Sequence, residues 1–365
     1  MTVWIGSFIL KKYSKRFMNR RSTGRERNSL KFLETQPMDR PDLASIAARL
    51  RGHTSFLIAT HTNPDGDAIG SMLGMMHLLR ALGKTNIACI NDDPVPRVYA
   101  WLPGASEIRP SHVPLAGFTP DAVILVDAGK KDRAGHAAEC FPAGVPLYVL
   151  DHHLEERPDG DFRCINPSYS ATGELICELF QAAGLPVHKP AAECLYTAIA
   201  TDTGGFRFSN TTPRTHRIAA MLLEAGVDAA VISSRVFDSI SKGKIELIRR
   251  ALDRMQMEAD GRIAHTFITA RDMDEARAKV EDLDNIINFA RNIEGVEVGI
   301  LFRETAPDTT KVSMRSSDSF NSASFLAPYG GGGHKAAAGG TLKGTLDAIR
   351  AEIVNKTIAS LGETK

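Results

Sequence analysis

Acids and imidazoles gather at three points of this chain, each at the end of an apolar run. His61, Asp65 and Asp67 stand in His61-Thr62-Asn63-Pro64-Asp65-Gly66-Asp67, after Ser55-Phe56-Leu57-Ile58-Ala59-Thr60. Asp127 closes Ala122-Val123-Ile124-Leu125-Val126, and Asp151-His152-His153 closes Leu147-Tyr148-Val149-Leu150. Asp202 follows Ala198-Ile199-Ala200-Thr201 and adds a further acid. Brought together, such carboxylates repel one another unless cations compensate them. Mixed imidazole and carboxylate donors suit Mn²⁺ or a related first-row ion better than Ca²⁺ or Mg²⁺. Each segment also has a plainer reading: an Asx-rich turn around Asp65, a cap for Asp127 or Asp202, a solvated pair for the histidines. Their common company favours the metal reading.

Convergence requires strand ends at one edge. In an open parallel sheet, the carboxyl ends of the strands form the ligand crevice where strand order reverses. Residues 123–126 and 146–150 are short, wholly apolar runs of the kind buried on both faces, and 86–91 reads as another strand. Residues 66–82, 170–183 and 190–200 read as helices, with Gly83 and Gly184 ending the first two. This βαβ rhythm predicts an α/β fold whose N-terminal domain, over 38–230, is a doubly wound, mainly parallel sheet. A connecting helix over 231–257 then leads to a smaller C-terminal α/β domain over 258–365. There, 262–269, 296–303 and 310–316 read as strands and 345–361 as the final helix.

Size agrees with two domains, since 365 residues exceed one typical core. A formal net charge of +1 excludes a global pull toward nucleic acid or membrane and leaves only local patches. Cys89, Cys140, Cys164, Cys177 and Cys194 contain no Cys-x-x-Cys pair and fit neither a disulfide framework nor a zinc knuckle. Reduced thiols and a cytoplasmic location are expected. Residues 1–37 are basic, and their apolar stretch at 3–10 is too short to span a bilayer and precedes the charges, unlike a secretory signal. A disordered arm, a mis-called start upstream of Met38 and a surface-binding helix all fit this segment. None gives it a catalytic role.

The C-terminal domain carries residues suited to phosphate. Glycines 330–333 let backbone N–H groups approach an anion, and the segment that follows is expected to open a helix whose N-terminus favours one. A flexible hinge is the plainer reading of the same glycines. Arg315 ends a strand with a fork suited to bidentate contact. Arg207 alternates with Phe206 and Phe208 as in a strand, facing the site or solvent.

The acidic set resembles the DHH phosphoesterase superfamily, with the naming Asp-His-His at 151–153. Residues Val312-Ser313-Met314-Arg315-Ser316 and Gly331-Gly332-Gly333-His334-x-x-Ala337-Ala338-Gly339 are similar to the DHH-associated domain. Length and domain order resemble the nanoRNase group of bifunctional oligoribonucleases and 3′-phosphoadenosine-5′-phosphate (pAp) phosphatases. The resemblance implies two divalent ions, Mn²⁺ first, with Mg²⁺ or Co²⁺ as alternatives. His61 and Asp65 would hold one ion and Asp67, His152 and Asp202 the other, with Asp127 between them. Asp151 would orient His152, and His153 would contact the scissile phosphate, making Asp127, Asp151 and His153 the catalytic set. A bridging water activated by both metals would attack phosphorus, releasing mononucleotides from short RNA and AMP from pAp. Substrate contacts would come from Arg207, Arg315, Gly331, Gly332, Gly333 and His334. The partners implied are short single-stranded RNA, dinucleotides and pAp, with no membrane and a homodimer as the default assembly. Two rivals remain: a hydrolase of linear dinucleotides such as pApA and pGpG, and a non-catalytic nucleotide-binding protein with a decayed site. The presence of every metal-type residue speaks against decay.

Overall fold

A computed structural model describes residues 43–317 and 319–362, so the basic segment 1–37 lies outside the described residues. The first domain is built on strands β1 (Ser55–Ala59), β2 (Asn86–Asn91), β3 (Ile108–Pro110), β4 (Ala122–Val126), β5 (Leu147–Asp151) and β6 (Phe162–Ile165). Around them lie helices α1 (Leu43–Gly52), α2 (Gly66–Ala81), α3 (Thr172–Ala182), α4 (Lys189–Asp202), α5 (Pro213–Glu224) and α6 (Ala229–Val236). The strands pair in parallel in the order β3-β2-β1-β4-β5-β6. Every residue of β1, β4 and β5 is buried, which explains their unbroken apolar runs. Alternation sends Phe56 and Ile58 into the layer with α2 and α3, and Leu57 and Ala59 into the layer with Ala134 and Ala137. Helices α2 and α4 pack closely at two glycines, one against backbone and one against a side chain. A Cβ on Gly70 would lie 2.5 Å from the Cys194 carbonyl, and one on Gly74 would lie 2.4 Å from Leu195.

The second domain contains α7 (Lys242–Asp253), β7 (Gln256–Glu258), β8 (Ile263–Ile268), α8 (Ala270–Ala276), α9 (Ile287–Arg291), β9 (Val298–Ala306) and β10 (Thr309–Ser316). It ends with α10 (Ser322–Leu326), β11 (Gly332–His334), β12 (Ala337–Lys343) and α11 (Leu346–Gly362). Its sheet runs β11-β12-β10-β9-β8-β7, with only the β8–β9 pair parallel. Val298, Ile300, Phe302, Val312 and Met314 form a core with Leu346, Ile349 and Ile353 of α11.

Three local expectations change. Residues 231–257 are not one continuous helix: Ser241 accepts from Lys244 N–H and so starts α7 afresh after α6 has ended. Ile232 of α6 packs in the first core, whereas Leu247 and Ala251 of α7 pack against Ile268, Ile286 and Leu301 of the second. Beyond the glycines no helix opens. β11 turns back onto β12, pairing Gly332 with Gly339 and His334 with Ala337, and this ladder overrides the helix propensity of the intervening alanines. Residues 206–208 form a turn rather than a strand, because Gly204, Gly205 and Phe206 all take positive φ and the Arg207 and Phe208 N–H groups both donate to Thr203 O.

Candidate metal centre

β1 leads into His61, β4 into Asp127 and β5 into Asp151-His152-His153, so the reversal of order between β1 and β4 gathers all three segments. Local bonding places each carboxylate. Asp65 caps α2, its Oδ1 accepting from Ala68 N–H at 3.0 Å, so the plainer reading holds for one of its oxygens. Asp67 is buried and accepts from Ser71 Oγ (2.8 Å), Thr172 N–H (2.6 Å) and Gly173 N–H (3.0 Å), at the N-terminus of α3. Asp127 has φ 56°, rare for a residue with a side chain, and its N–H is held by Leu150 O at 2.8 Å. Asp202 is the last residue of α4.

The imidazoles are oriented by carbonyls. A carbonyl oxygen only accepts, so His61 Nδ1 donates to Thr62 O (2.8 Å) and His152 Nδ1 donates to Tyr169 O (3.3 Å). In the neutral ring, that tautomer leaves each Nε2 with its lone pair facing the site. His61 Nε2 lies 3.3 Å from Asp127 Oδ2. His152 Nε2 lies 3.6, 3.7 and 3.5 Å from oxygens of Asp67, Asp127 and Asp202. Among the described residues that nitrogen is buried and has no hydrogen-bond partner. A buried lone pair facing three carboxylates is unfavourable until a cation stands among them, so the donors fit a metal. His61, Asp65 and Asp127 form one set able to hold an ion; Asp67, His152 and Asp202 form another.

Asp151 departs from expectation. Its Oδ1 accepts from the Nδ1 and the backbone N–H of His153, at 2.8 and 3.1 Å, rather than from His152. Residues two apart leaving β5 return to the same side, while His152, one apart, faces the Tyr169 carbonyl. The charge pattern follows. Burial, then the charges of Asp67 and Asp65, push the Asp127 carboxyl well above its usual range. Burial and the same acids raise Asp202 to about 9. Burial also raises Asp67, against the pull of His152. Burial would raise Asp151, but the hydrogen bond and charge of His153 hold it below the usual range. Burial would lower His153, yet Asp151 and Asp127 keep it raised.

The other expected contacts lie elsewhere. Arg207 Nε donates to Gly204 O at 2.6 Å, closing the turn after Asp202, and Arg207 lines a cavity of about 520 Å³ with Tyr196, Phe206 and Phe237. Arg315 stands on β10, with Lys311 and Ser313 on the same face and Arg303 directly opposite Lys311. Burial depresses the pKa of all three cations. Gly331 and Gly333 are required by packing, since a Cβ would meet Gly339 O at 2.8 Å and Ala337 O at 2.4 Å respectively; Gly332 faces open space. The His334 side chain lies outside the described residues. Sequence reading missed Tyr169 and Thr172, whose Oγ1 donates to Asp127 Oδ1 at 3.0 Å. A Ser-Ala-Thr-Gly helix start carries no local sign of that contact.

Fold and centre together define a metal-dependent hydrolase of the doubly wound α/β class. The chain belongs to the DHH family: residues 55–199 match the DHH family N-terminal domain and residues 260–360 match the DHHA1 domain. It is 34% identical over 310 residues to the bifunctional oligoribonuclease and PAP phosphatase NrnA of Thermus thermophilus, covering 81% of this chain and 89% of that one. The Bacillus subtilis protein of the same name is 26% identical, over 80% of this chain and 90% of its own. A crystal structure of an exopolyphosphatase-related protein from Bacteroides fragilis superposes with a TM-score of 0.80 at 25% identity, over 87% of this chain and 96% of that one. Among the described residues no helix is long and apolar enough to cross a membrane.

Proposed function

We propose that this protein hydrolyses short oligoribonucleotides to mononucleotides and pAp to AMP at the centre between β1, β4 and β5. The observation that carries the reading is the buried, unpartnered His152 Nε2 among the oxygens of Asp67, Asp127 and Asp202. The relatives' names, oligoribonuclease and PAP phosphatase, supply the substrate class. Two divalent ions would be held, one by His61, Asp65 and Asp127 and one by Asp67, His152 and Asp202, with Asp127 shared; imidazole with carboxylate favours Mn²⁺. When bound, such ions offset charge on the phosphoryl oxygens and acidify water.

The chain's own residues do the rest. Thr62 O and Tyr169 O fix the two ligating imidazoles as Nδ1–H tautomers, leaving Nε2 to bind. Asp151 holds His153, whose raised pKa favours the imidazolium form, fit to contact the scissile phosphate and to hold a proton for the leaving oxygen. On β9 and β10, Arg303 and Lys311 oppose one another as like charges, an arrangement an anion would relieve. With Arg315 they suit the phosphates of a short RNA, and Gly332 leaves backbone room for one. Unpaired thiols fit a cytoplasmic location, and a homodimer is the expected assembly.

A substrate panel under fixed Mn²⁺ tests the reading: pAp, pApA, pGpG, RNA of two to ten nucleotides and short DNA. Release of mononucleotides chiefly from the shortest RNAs, with AMP from pAp, is expected. Preference for pGpG over all other substrates would move the function to dinucleotide turnover, and no release at all would leave a binding protein.

A further inference from the structure

Behind the centre stands an ion pair that the reaction does not use. Glu174 is wholly buried in α3, and its carboxylate accepts from Ser170 Oγ at 2.6 Å and from Ser170 N–H at 3.3 Å. Arg214, in the first turn of α5, brings Nε to 3.5 Å from Glu174 Oε2. Its guanidinium lies 4.0 Å from the centroid of the Tyr169 ring and donates to Ser168 Oγ at 3.1 Å and to Ser168 O. Tyr169 in turn donates to Glu178 at 2.6 Å. A buried carboxylate is costly without such compensation, so the pair and the turn it grips hold one another in place.

That turn, residues 168–173, touches the centre unevenly. Tyr169 O orients His152, the N–H groups of Thr172 and Gly173 hold Asp67, and Asn210 Nδ2 bridges Ser170 O to Asp202 O at 3.1 Å each. Asp67 and His152 are thus bonded to it directly, and Asp202 through its backbone carbonyl and Asn210. His61 and Asp65 are positioned instead by Thr62 O and by the cap of α2. Thr172 Oγ1 reaches the shared Asp127.

We propose that Glu174 and Arg214 are positioning residues chiefly for one of the two ion sites, the Asp67–His152–Asp202 set, and reach the His61–Asp65 site only through the single Thr172–Asp127 contact. The inference rests on the two-ion reading above. A ligand held by a weakened outer partner loses metal affinity roughly 10- to 100-fold, and here that loss should fall on one ion of the pair.

Equilibrium dialysis of the full chain against Mn²⁺ with elemental counting reads this without turnover, alongside thermal melting of the metal-free protein. Wild type should hold two ions. Arg214→Gln, and the charge-neutral pair Glu174→Gln with Arg214→Gln, should weaken one ion roughly 10- to 100-fold and the other by less than about threefold. His61→Ala should spare the ion that those variants weaken. Thr172→Val should weaken both ions and Thr172→Ser restore them, since Asp127 is shared. Equal weakening of both ions in the Arg214 variants, or weakening of neither, overturns the proposal; so does equal loss with a collapsed melting temperature, which marks general loosening. A wild-type chain that binds a single ion sinks the two-ion reading and this inference with it.

Discussion

Asp127 and Asp272 are buried almost alike, at 1% and 2% exposure, yet their carboxyls are driven in opposite directions. Asp127, at the end of β4, is raised by burial and by Asp67 and Asp65 beside it. Asp272, in the first turn of α8, would be raised by burial too, but Arg254, Thr269 and Arg250 hold it well below the usual range. Arg250 Nη1 donates to Asp272 Oδ1 at 2.7 Å, and the N–H and hydroxyl of Thr269 close a capping box on Oδ2 at 2.8 and 2.7 Å. Burial of an acid is therefore no mark of a site. The mark is burial beside other carboxylates, and that separates Asp127 from Asp272.

The sharpest test exchanges Asp for Asn in both places. At Asp127, turnover of a labelled dinucleotide should fall on the order of 10³-fold, while the metal-free protein melts at a higher temperature because a repelling charge is gone. At Asp272 the same change should leave kcat intact and cost about 2 kcal/mol in a denaturant titration, the scale of lost charged hydrogen bonds. Matching signs in the two metal-free melts would break the comparison. On the cationic side, Arg315→Ala should raise KM for a trinucleotide roughly tenfold or more with a smaller change in kcat. An effect on kcat alone would move Arg315 out of substrate binding.

The pH profile of the metal-free protein separates the two regions more gently. Asp202 is raised from 3.8 to about 9, so the folded form keeps a proton that the unfolded chain releases above pH 3.8. That stability is lost as pH climbs toward about 9, and added Mn²⁺ should restore it. Asp272 is depressed, so its contribution is present above 3.8 and disappears as pH falls below that value. Melting temperature against pH, with and without chelator, should show the alkaline loss only when metal is stripped.

Much of the centre was legible because acids and imidazoles recur together at the ends of successive apolar runs. His61, Asp65, Asp67, Asp127, His152, His153 and Asp202 meet where the apolar runs around them stop. The supports were not legible. Tyr169 serves through a backbone carbonyl that any residue carries, and Thr172 reaches an aspartate 45 positions away. Asp151 holds His153 rather than His152, because side-chain direction beyond a strand end depends on the turn that follows. Around Arg207 the alternation that suggests a strand is visible locally, whereas three successive positive φ angles are not.

The sequence by itself determined which segments would be buried strands and which acids and imidazoles would stand at their ends, since apolar burial and donor chemistry are properties of the residues. Only the tertiary structure decided the strand order that brings β1, β4 and β5 edge to edge, the hairpin after the glycines and the turn that grips Asp67 and His152. Those depend on long-range pairing, whose partners share no local pattern and are chosen by the packing of the whole core.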